Sequence, residues 1–325
     1  MSSLDKIKVL ISKDIELFHK EYKMALNSNV RLINSITNYI VKNRGKEIRP
    51  TLTLISARVC GDPTQNTYRA AAMMELLHVA TLIHDDIVDD AQMRRGEPSI
   101  KSIWKNKVSV LMGDFILSKA LINMVGLKDF DALDLISVTA EKLSAGEILQ
   151  IEKSLTKTMQ KKVYYKMINQ KTASLIAASC ELGAITTTKT DKDRKAMYEF
   201  GENLGMAFQI KDDLFDFLGS ENITGKDSSG DVKKNMLTLP LIYALQKSSG
   251  LKKIRLRLLV HKKNKTSKNI NEIKGIINDL GGFEYAKKQL NQFSNMAKDS
   301  ISHFDESKFK QSLIDIVDFN ASRVS

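Results

Sequence analysis

The chain has 325 residues, 42% of them hydrophobic and 27% charged, with a formal net charge of +12. That much apolar sequence supports a sizeable core and excludes a disordered chain, while the positive balance favours anionic partners such as phosphates, nucleic acid or an acidic membrane surface without choosing among them. Cys60 and Cys180 are the only cysteines, each in an apolar helical context, which excludes a disulfide framework or cysteine-ligated zinc and fits a reducing, cytoplasmic setting.

In chain order, the first twenty residues carry scattered charges and lack the apolar core of a signal peptide. No stretch reads as approaching the ~20 apolar residues of a membrane span. Four prolines (Pro50, Pro63, Pro98, Pro240) punctuate the chain, and between them apolar residues recur at three- and four-residue spacing, which predicts helices. Residues 69–91 read as a helix apolar nearly all round until its aspartates begin, the pattern of a helix buried in a bundle. The stretches 108–126, 133–155 and 164–185 read the same way, with small residues that allow close approach, and a fifth helix is expected over 195–219. Loops are expected at 59–67, 93–99 and 219–235, and strands are not, because period-two alternation is almost absent. The stretch LKKIRLRLLVHKKNKTSKN (251–269) reads as a solvated basic face or loop, and 250–325 as helical and charged without a motif. With no internal repeat and no low-complexity linker, one domain spanning 1–325 is expected.

Two short stretches carry the chemistry. LIHDDIVDD (82–90) ends a helix that otherwise reads as buried, and QIKDDLFDFLG (209–219) repeats the Asp-Asp-x-x-Asp spacing 127 residues later (212 minus 85). On a helix, residues four apart share a face, so Asp85 pairs with Asp89 and Asp212 with Asp216, while Asp86 and Asp213 are turned about 100° aside. A bland alternative, two exposed helix ends screened by water, accounts for either cluster alone better than for both. Hard, oxygen-only ligands suit Mg²⁺, which takes one or two carboxylates and completes its shell with water and phosphate oxygens.

Together with GKEIRP (45–50), DDAQMRRGEPS (89–99) and Gly225-Lys226, these motifs resemble the all-trans polyprenyl diphosphate synthase family, in matching order from about residue 40 to 245. The resemblance implies an all-α fold, a bundle of long, mostly antiparallel helices around a central cavity with the two aspartate motifs across its mouth. It implies about three Mg²⁺ ions, held with an allylic diphosphate by Asp85, Asp89 and Asp212, with Asp86, Asp213 and Asp216 near that shell. Lys46, Arg49, His78 and Arg95 match positions that bind isopentenyl diphosphate. Arg94, Lys171, Thr172, Gln209 and Lys226 match positions that contact the allylic diphosphate. Taken singly, His78 reads equally as a satisfied core histidine and Lys171 as an ordinary surface lysine.

Two departures stand out. Glu47 occupies a place where many members carry arginine, and Asn235-Met236 replaces a Gly-Lys pair, with Lys233 or Lys234 as substitutes for the missing lysine. Ala80 and Thr81, one turn before Asp85, match the family's chain-length gate. Their small size leaves the passage open and points to a long product of about C30 to C45, a quinone side-chain precursor, with small-residue helix packing as the bland alternative. A floor from Met112, Phe115 or Met124 would instead give geranylgeranyl diphosphate. The helical pattern and the aspartates also fit a class I terpene cyclase, which would not need the second basic site; a non-catalytic subunit of a heteromeric synthase would typically lose the aspartate motifs, which this chain keeps. A nucleic-acid binder has no finger, RNP-type or basic-zipper signature behind it. The family further implies a homodimer, and contact with a membrane surface for product release stays open.

Overall fold

The computed structural model describes residues 3–156, 160–188, 190–218, 238–262 and 265–322. The fold is all-α. Helices α1 (Ser3–Leu10), α2 (Ser12–Leu26), α3 (Arg31–Lys42), α4 (Ile48–Cys60) and α5 (Gln65–Val88) lead to a hairpin of two-residue strands, β1 (Met93–Arg94) and β2 (Glu97–Pro98). Then follow α6 (Ile100–Gly126), α7 (Phe130–Thr156), α8 (Lys161–Ile168), a π-helical segment Asn169–Ala173, α9 (Ser174–Ile185) and α10 (Asp191–Leu218). The described C-terminal helices are α11 (Leu239–Lys247), α12 (Gly250–His261), α13 (Ser267–Asp279), α14 (Gly282–Ser300) and α15 (Lys308–Ser322).

The chain forms two compact units interleaved in sequence. The first comprises residues 1–140, 175–198 and 303–313; the second comprises 141–174, 199–302 and 314–325. At the centre of the first unit is α5, which packs on α6, α2 and α4. Thr64 and Thr67 form a reciprocal capping box at its start, satisfying N–H groups that the first turn leaves open. Ala70, Ala71, Ala72, Met73, Met74 and Leu76 are fully enclosed, in keeping with an apolar pattern that runs all round the helix. Close crossings use small residues: a Cβ on Gly183 of α9 would lie 2.2 Å from the Thr53 carbonyl of α4.

The hairpin sits where the sequence predicts a loop. Both central residues of its turn, Arg95 (φ 56°) and Gly96 (φ 83°), are left-handed, which suits the right-handed twist of a two-residue hairpin and is costly for a side chain as large as arginine. Helix α6 also departs from expectation. By length and composition it is apolar enough to cross a membrane, and only 33% of its most apolar 18-residue window is buried. Its charges are too sparse to interrupt such a window, a property it shares with core helices.

The second unit is organised by the C-terminal part of α7, by α8 and by most of α10, with α11 to α14 around them. Ile210, Leu239, Ile242, Leu256, Ile273 and Ile277 are fully enclosed in one apolar cluster. Each such side chain stabilises the unit by about 2 kcal/mol.

Candidate active site

The four aspartates close α5 at its C-terminal end, where the helix dipole is already negative and carboxylates are unfavourable. They do not behave alike. Asp86 is 5% exposed and accepts from Arg94, with Nε donating at 2.8 Å and Nη2 joining it on the same oxygen. Asp90, left-handed at φ 54°, is exposed and paired with the ammonium of Lys101. Asp85 is half-buried, and Asp89, the C-cap, is exposed. Arg94 and Lys101 take up Asp86 and Asp90, and the same-face pair, Asp85 and Asp89, is more exposed than Asp86.

Upstream, α4 begins at a strained residue. Glu47, with φ 51° and ψ 43°, is its N-cap, and its buried carboxylate meets Lys8 at 3.1 Å, His19 at 3.0 Å and Arg44 at 3.7 Å. Burial works to raise its carboxyl, but hydrogen bonds and charge from His19 and Lys8 outweigh that and hold it below the usual carboxylate value. The residue that departs from the family pattern thus ties the Gly45-Lys46 turn to α1 and α2. Lys46 itself is exposed.

Gly45 is shaped by Arg95: a Cβ there would lie within 2.3–2.5 Å of the guanidinium carbon and both terminal nitrogens. Gly45→Ala is accordingly expected to displace Arg95 and, given the diphosphate role that the sequence resemblance implies for that arginine, to raise the KM for isopentenyl diphosphate about tenfold, the equivalent of one charge-assisted hydrogen bond, with little change in melting temperature. Steady-state kinetics with each substrate varied in turn check it, and an unchanged KM would sever the link.

Arg49 is half-buried with its Nε enclosed and without a hydrogen-bond partner. Burial lowers its guanidinium to about 10, against the opposing charge of Glu75. Glu75, 5% exposed, belongs to none of the sequence motifs. A single charged residue inside AAAMMELLH, three before His78, is the signal that could have found it. Its carboxyl is pushed up by burial, with Arg49 pulling the other way. His78 is held well below 6.5 by burial and by the charges of Arg49, Arg95 and Arg94, so its imidazole is neutral. Glu75, Leu82 and Asp86 line one side of a pocket, and Tyr22, Arg94 and Arg95 are among the residues that complete it. Of the expected gate residues, Ala80 is 1% exposed and Thr81 is half-buried, its hydroxyl donating to the His78 carbonyl at 2.8 Å. Met112 and Met124 are buried; Phe115 is half-buried, with the Lys119 ammonium 5.2 Å from its ring.

In the second unit, Lys171 and Thr172 sit in the π-helical segment. Such bulges are rare and recur at functional sites, because widening one turn re-aims its side chains. A Cβ on Gly146 would lie 2.7 Å from the Lys171 nitrogen, and one on Gly205 2.5 Å from the Ala173 Cα, so glycines on two neighbouring helices make room for the wide turn. Lys171 pairs with Glu147 at 2.5 Å, and the Thr172 hydroxyl donates to Gln209 at 2.8 Å. Gln209 in turn donates to Asp213 at 3.3 Å. Asp213 is 4% exposed, and its other oxygen accepts from the Tyr164 hydroxyl at 2.7 Å and the Leu239 backbone N–H at 3.0 Å. Asp212, one residue earlier, is exposed. The aspartate turned aside in each motif is therefore buried and bonded within the protein.

The Asp216 side chain, Lys226, Lys233, Lys234, Asn235 and Met236 lie outside the described residues. Among the described residues no three His, Cys, Asp or Glu side chains form a ready-made metal cage. The donors at the α5 end are nonetheless oxygen-only, solvent-facing and set in a negative helix terminus. That composition fits a hard divalent ion that brings its remaining ligands as water and phosphate.

Known proteins resemble this chain over most of its length. The octaprenyl diphosphate synthase of Haemophilus influenzae is 30% identical over 323 residues, 99% of this chain and 98% of that one. Component 2 of the heptaprenyl diphosphate synthase of Bacillus subtilis is 36% identical over 237 residues, 73% of this chain and 68% of that protein. A crystal structure of polyprenyl synthase from Caulobacter crescentus, complexed with calcium and isoprenyl diphosphate, matches with a TM-score of 0.90 at 29% identity, covering 99% of this chain and 98% of that one. The polyprenyl synthetase family matches residues 30–277, and the chain belongs to that family, whose members are prenyltransferases.

Proposed function

We propose that this prenyltransferase condenses an allylic diphosphate with successive isopentenyl diphosphates into a long all-trans polyprenyl diphosphate, about C30 to C45, because the gate residues Ala80 and Thr81 are small. The family is divalent-metal dependent in general, and we assign Mg²⁺, about three ions, to Asp85, Asp89 and Asp212 together with the substrate's phosphate oxygens. The Caulobacter relative was solved with calcium and isoprenyl diphosphate, which supports a divalent ion alongside a diphosphate. When bound, the ions supply Lewis-acid stabilisation of the departing pyrophosphate.

The chain's own residues do the rest. Arg94 and Lys171 add positive charge where the allylic carbon–oxygen bond ionises, so the developing anion is stabilised more than the intact ester. Lys46, Arg49 and Arg95 hold the second diphosphate through charge-assisted bonds, and the neutral His78 has a ring N–H to offer without adding charge. The double bond of isopentenyl diphosphate attacks the allylic cation, and a proton then leaves to restore a trans alkene. No side chain is assigned as its base; the released pyrophosphate serves. The enzyme works as a homodimer in this reading, supported by the exposed stripe on α6 that includes Leu111, Leu121, Ile122 and Val125.

Incubation with labelled isopentenyl diphosphate, Mg²⁺ and farnesyl diphosphate, read by chromatography, tests the assignment. Products beyond geranylgeranyl diphosphate are expected, and Ala80→Phe is expected to shorten them. Because Ala80 is enclosed, that variant should also lose about 1–3 kcal/mol of stability to overpacking. A wild-type product ending at geranylgeranyl diphosphate would favour a short-chain synthase, an activity carried by solved relatives such as the geranylgeranyl pyrophosphate synthetase of Pyrococcus horikoshii.

A further inference from the structure

The basic stretch that the sequence suggests is a solvated face or loop carries an aliphatic stripe among its exposed cations. In α12, Leu256, Leu259 and Val260 are turned into the second unit and buried, while Leu251 (85% exposed), Ile254 (57%) and Leu258 (64%) point outward. At 3.6 residues per turn these three fall within about 60° of one another, a single aliphatic stripe along the outer side of the helix. Arg255 and Lys262 flank one edge of the stripe and Arg257 the other. Residues 250–268 contain eight lysines and arginines and no aspartate or glutamate. Arg255 is held by Glu272 through two bonds of 2.6 and 2.7 Å, and Lys252 by Asp279 at 3.1 Å. Lys262 bonds only the neutral amide of Asn269, and Arg257 has no carboxylate partner among the described residues.

We propose that α12 is a membrane-surface element, laying Leu251, Ile254 and Leu258 into the headgroup boundary of an anionic bilayer with Arg257 and Lys262 on lipid phosphates. Exposed aliphatics bordered by cations are the composition that an anionic lipid interface matches. Two other occupants fit less well. A second copy docking isologously would bring the same eight cations against these eight, a like-charge contact with no acid in the segment to relieve it. A nucleic acid would meet aliphatic side chains where stacking calls for aromatics, and residues 250–268 contain no Phe, Tyr or Trp. The inference rests on the surface of α12 and not on the product assignment, although an enzyme with a long apolar product gains from delivering it at a bilayer.

The test is sedimentation of the full-length protein with vesicles of phosphatidylcholine alone or mixed with phosphatidylglycerol. Binding to the mixed vesicles is expected, weakening as salt is raised. Leu251→Gln/Leu258→Gln is expected to weaken it at least about tenfold with every charge intact. Arg257→Gln/Lys262→Gln should weaken it about fivefold per cation. Both variants should transfer prenyl groups normally to a short allylic starter in solution, since none of these residues touches the site. Absence of vesicle binding, equal binding to neutral vesicles, or binding unchanged in the aliphatic variant would overturn the proposal. So would an oligomer that dissociates in the aliphatic variant, which would hand the stripe to a second copy.

Discussion

Asp85→Asn is expected to lower kcat by about 10³-fold, the scale of losing one preorganised electrostatic contribution to the stabilisation of a leaving group, with a far smaller effect on the fold. Asp85, Asp86, Asp89 and Asp90 crowd the C-terminal end of α5, where backbone carbonyls already carry partial negative charge. Arg94 and Lys101 relieve Asp86 and Asp90. A charge at a helix end is worth about 0.3–1 kcal/mol, so the unfolding free energy should change by no more than that. Urea denaturation and steady-state kinetics on the same preparations separate the roles: activity and stability falling together would mean that the aspartate holds the helix end and not the substrate.

Asp86→Asn separates the two aspartate environments. It strips charge from a buried carboxylate that receives two donors from Arg94, and a cost in stability accompanies any cost in rate. The sequence makes Asp85 and Asp89 legible as a pair, because four-residue spacing alone puts them on one face. It does not show that the aspartate between them is buried, since that depends on Arg94 reaching back from the hairpin. Helix cores are legible for the same geometric reason, and the expected spans over 133–155 and 195–219 fall on α7 and α10, with Gly219 outside the described residues. The turn at Arg95-Gly96 is not: the arginine is left-handed, and its guanidinium lies close over Gly45, fifty positions distant in the chain (95 minus 45). The π-helical turn at Lys171 is equally hidden: Gly146 and Gly205 on other helices make the space for it, and neither signals that use locally. Glu47 reads in the sequence as the loss of a binding charge. The structure gives it Lys8, His19 and Arg44 as neighbours, the first two on N-terminal helices for which the sequence offers no motif.

Asp213→Ala is expected to be the most destabilising single change in either aspartate motif, costing about 3–5 kcal/mol, because it breaks a buried charge network and leaves its donors unpaired. The Tyr164 hydroxyl and the Leu239 N–H both donate to one of its oxygens, and neither group has water to turn to in an interior where Tyr164 is 1% and Leu239 is 0% exposed. Burial, with the Asp213 charge beside it, pushes the Tyr164 phenol well above its usual value, so it stays a donor at any working pH. The carboxylate thereby joins three segments of the second unit: α8 through Tyr164, α10 through its own backbone, and the start of α11 through Leu239. Asp213→Asn discriminates anchoring from metal binding. An asparagine keeps one carbonyl oxygen for Tyr164 and Leu239 and offers its NH₂ to the Gln209 carbonyl, so an anchor should recover most of the stability and kcat lost in the alanine variant. A direct metal ligand would not recover, since the exchange halves its oxygen donors and removes its charge. If Asp213→Asn proves as inactive as Asp85→Asn while unfolding at the wild-type urea midpoint, the aspartate serves the metal after all, and the bonds to Tyr164 and Leu239 only aim it.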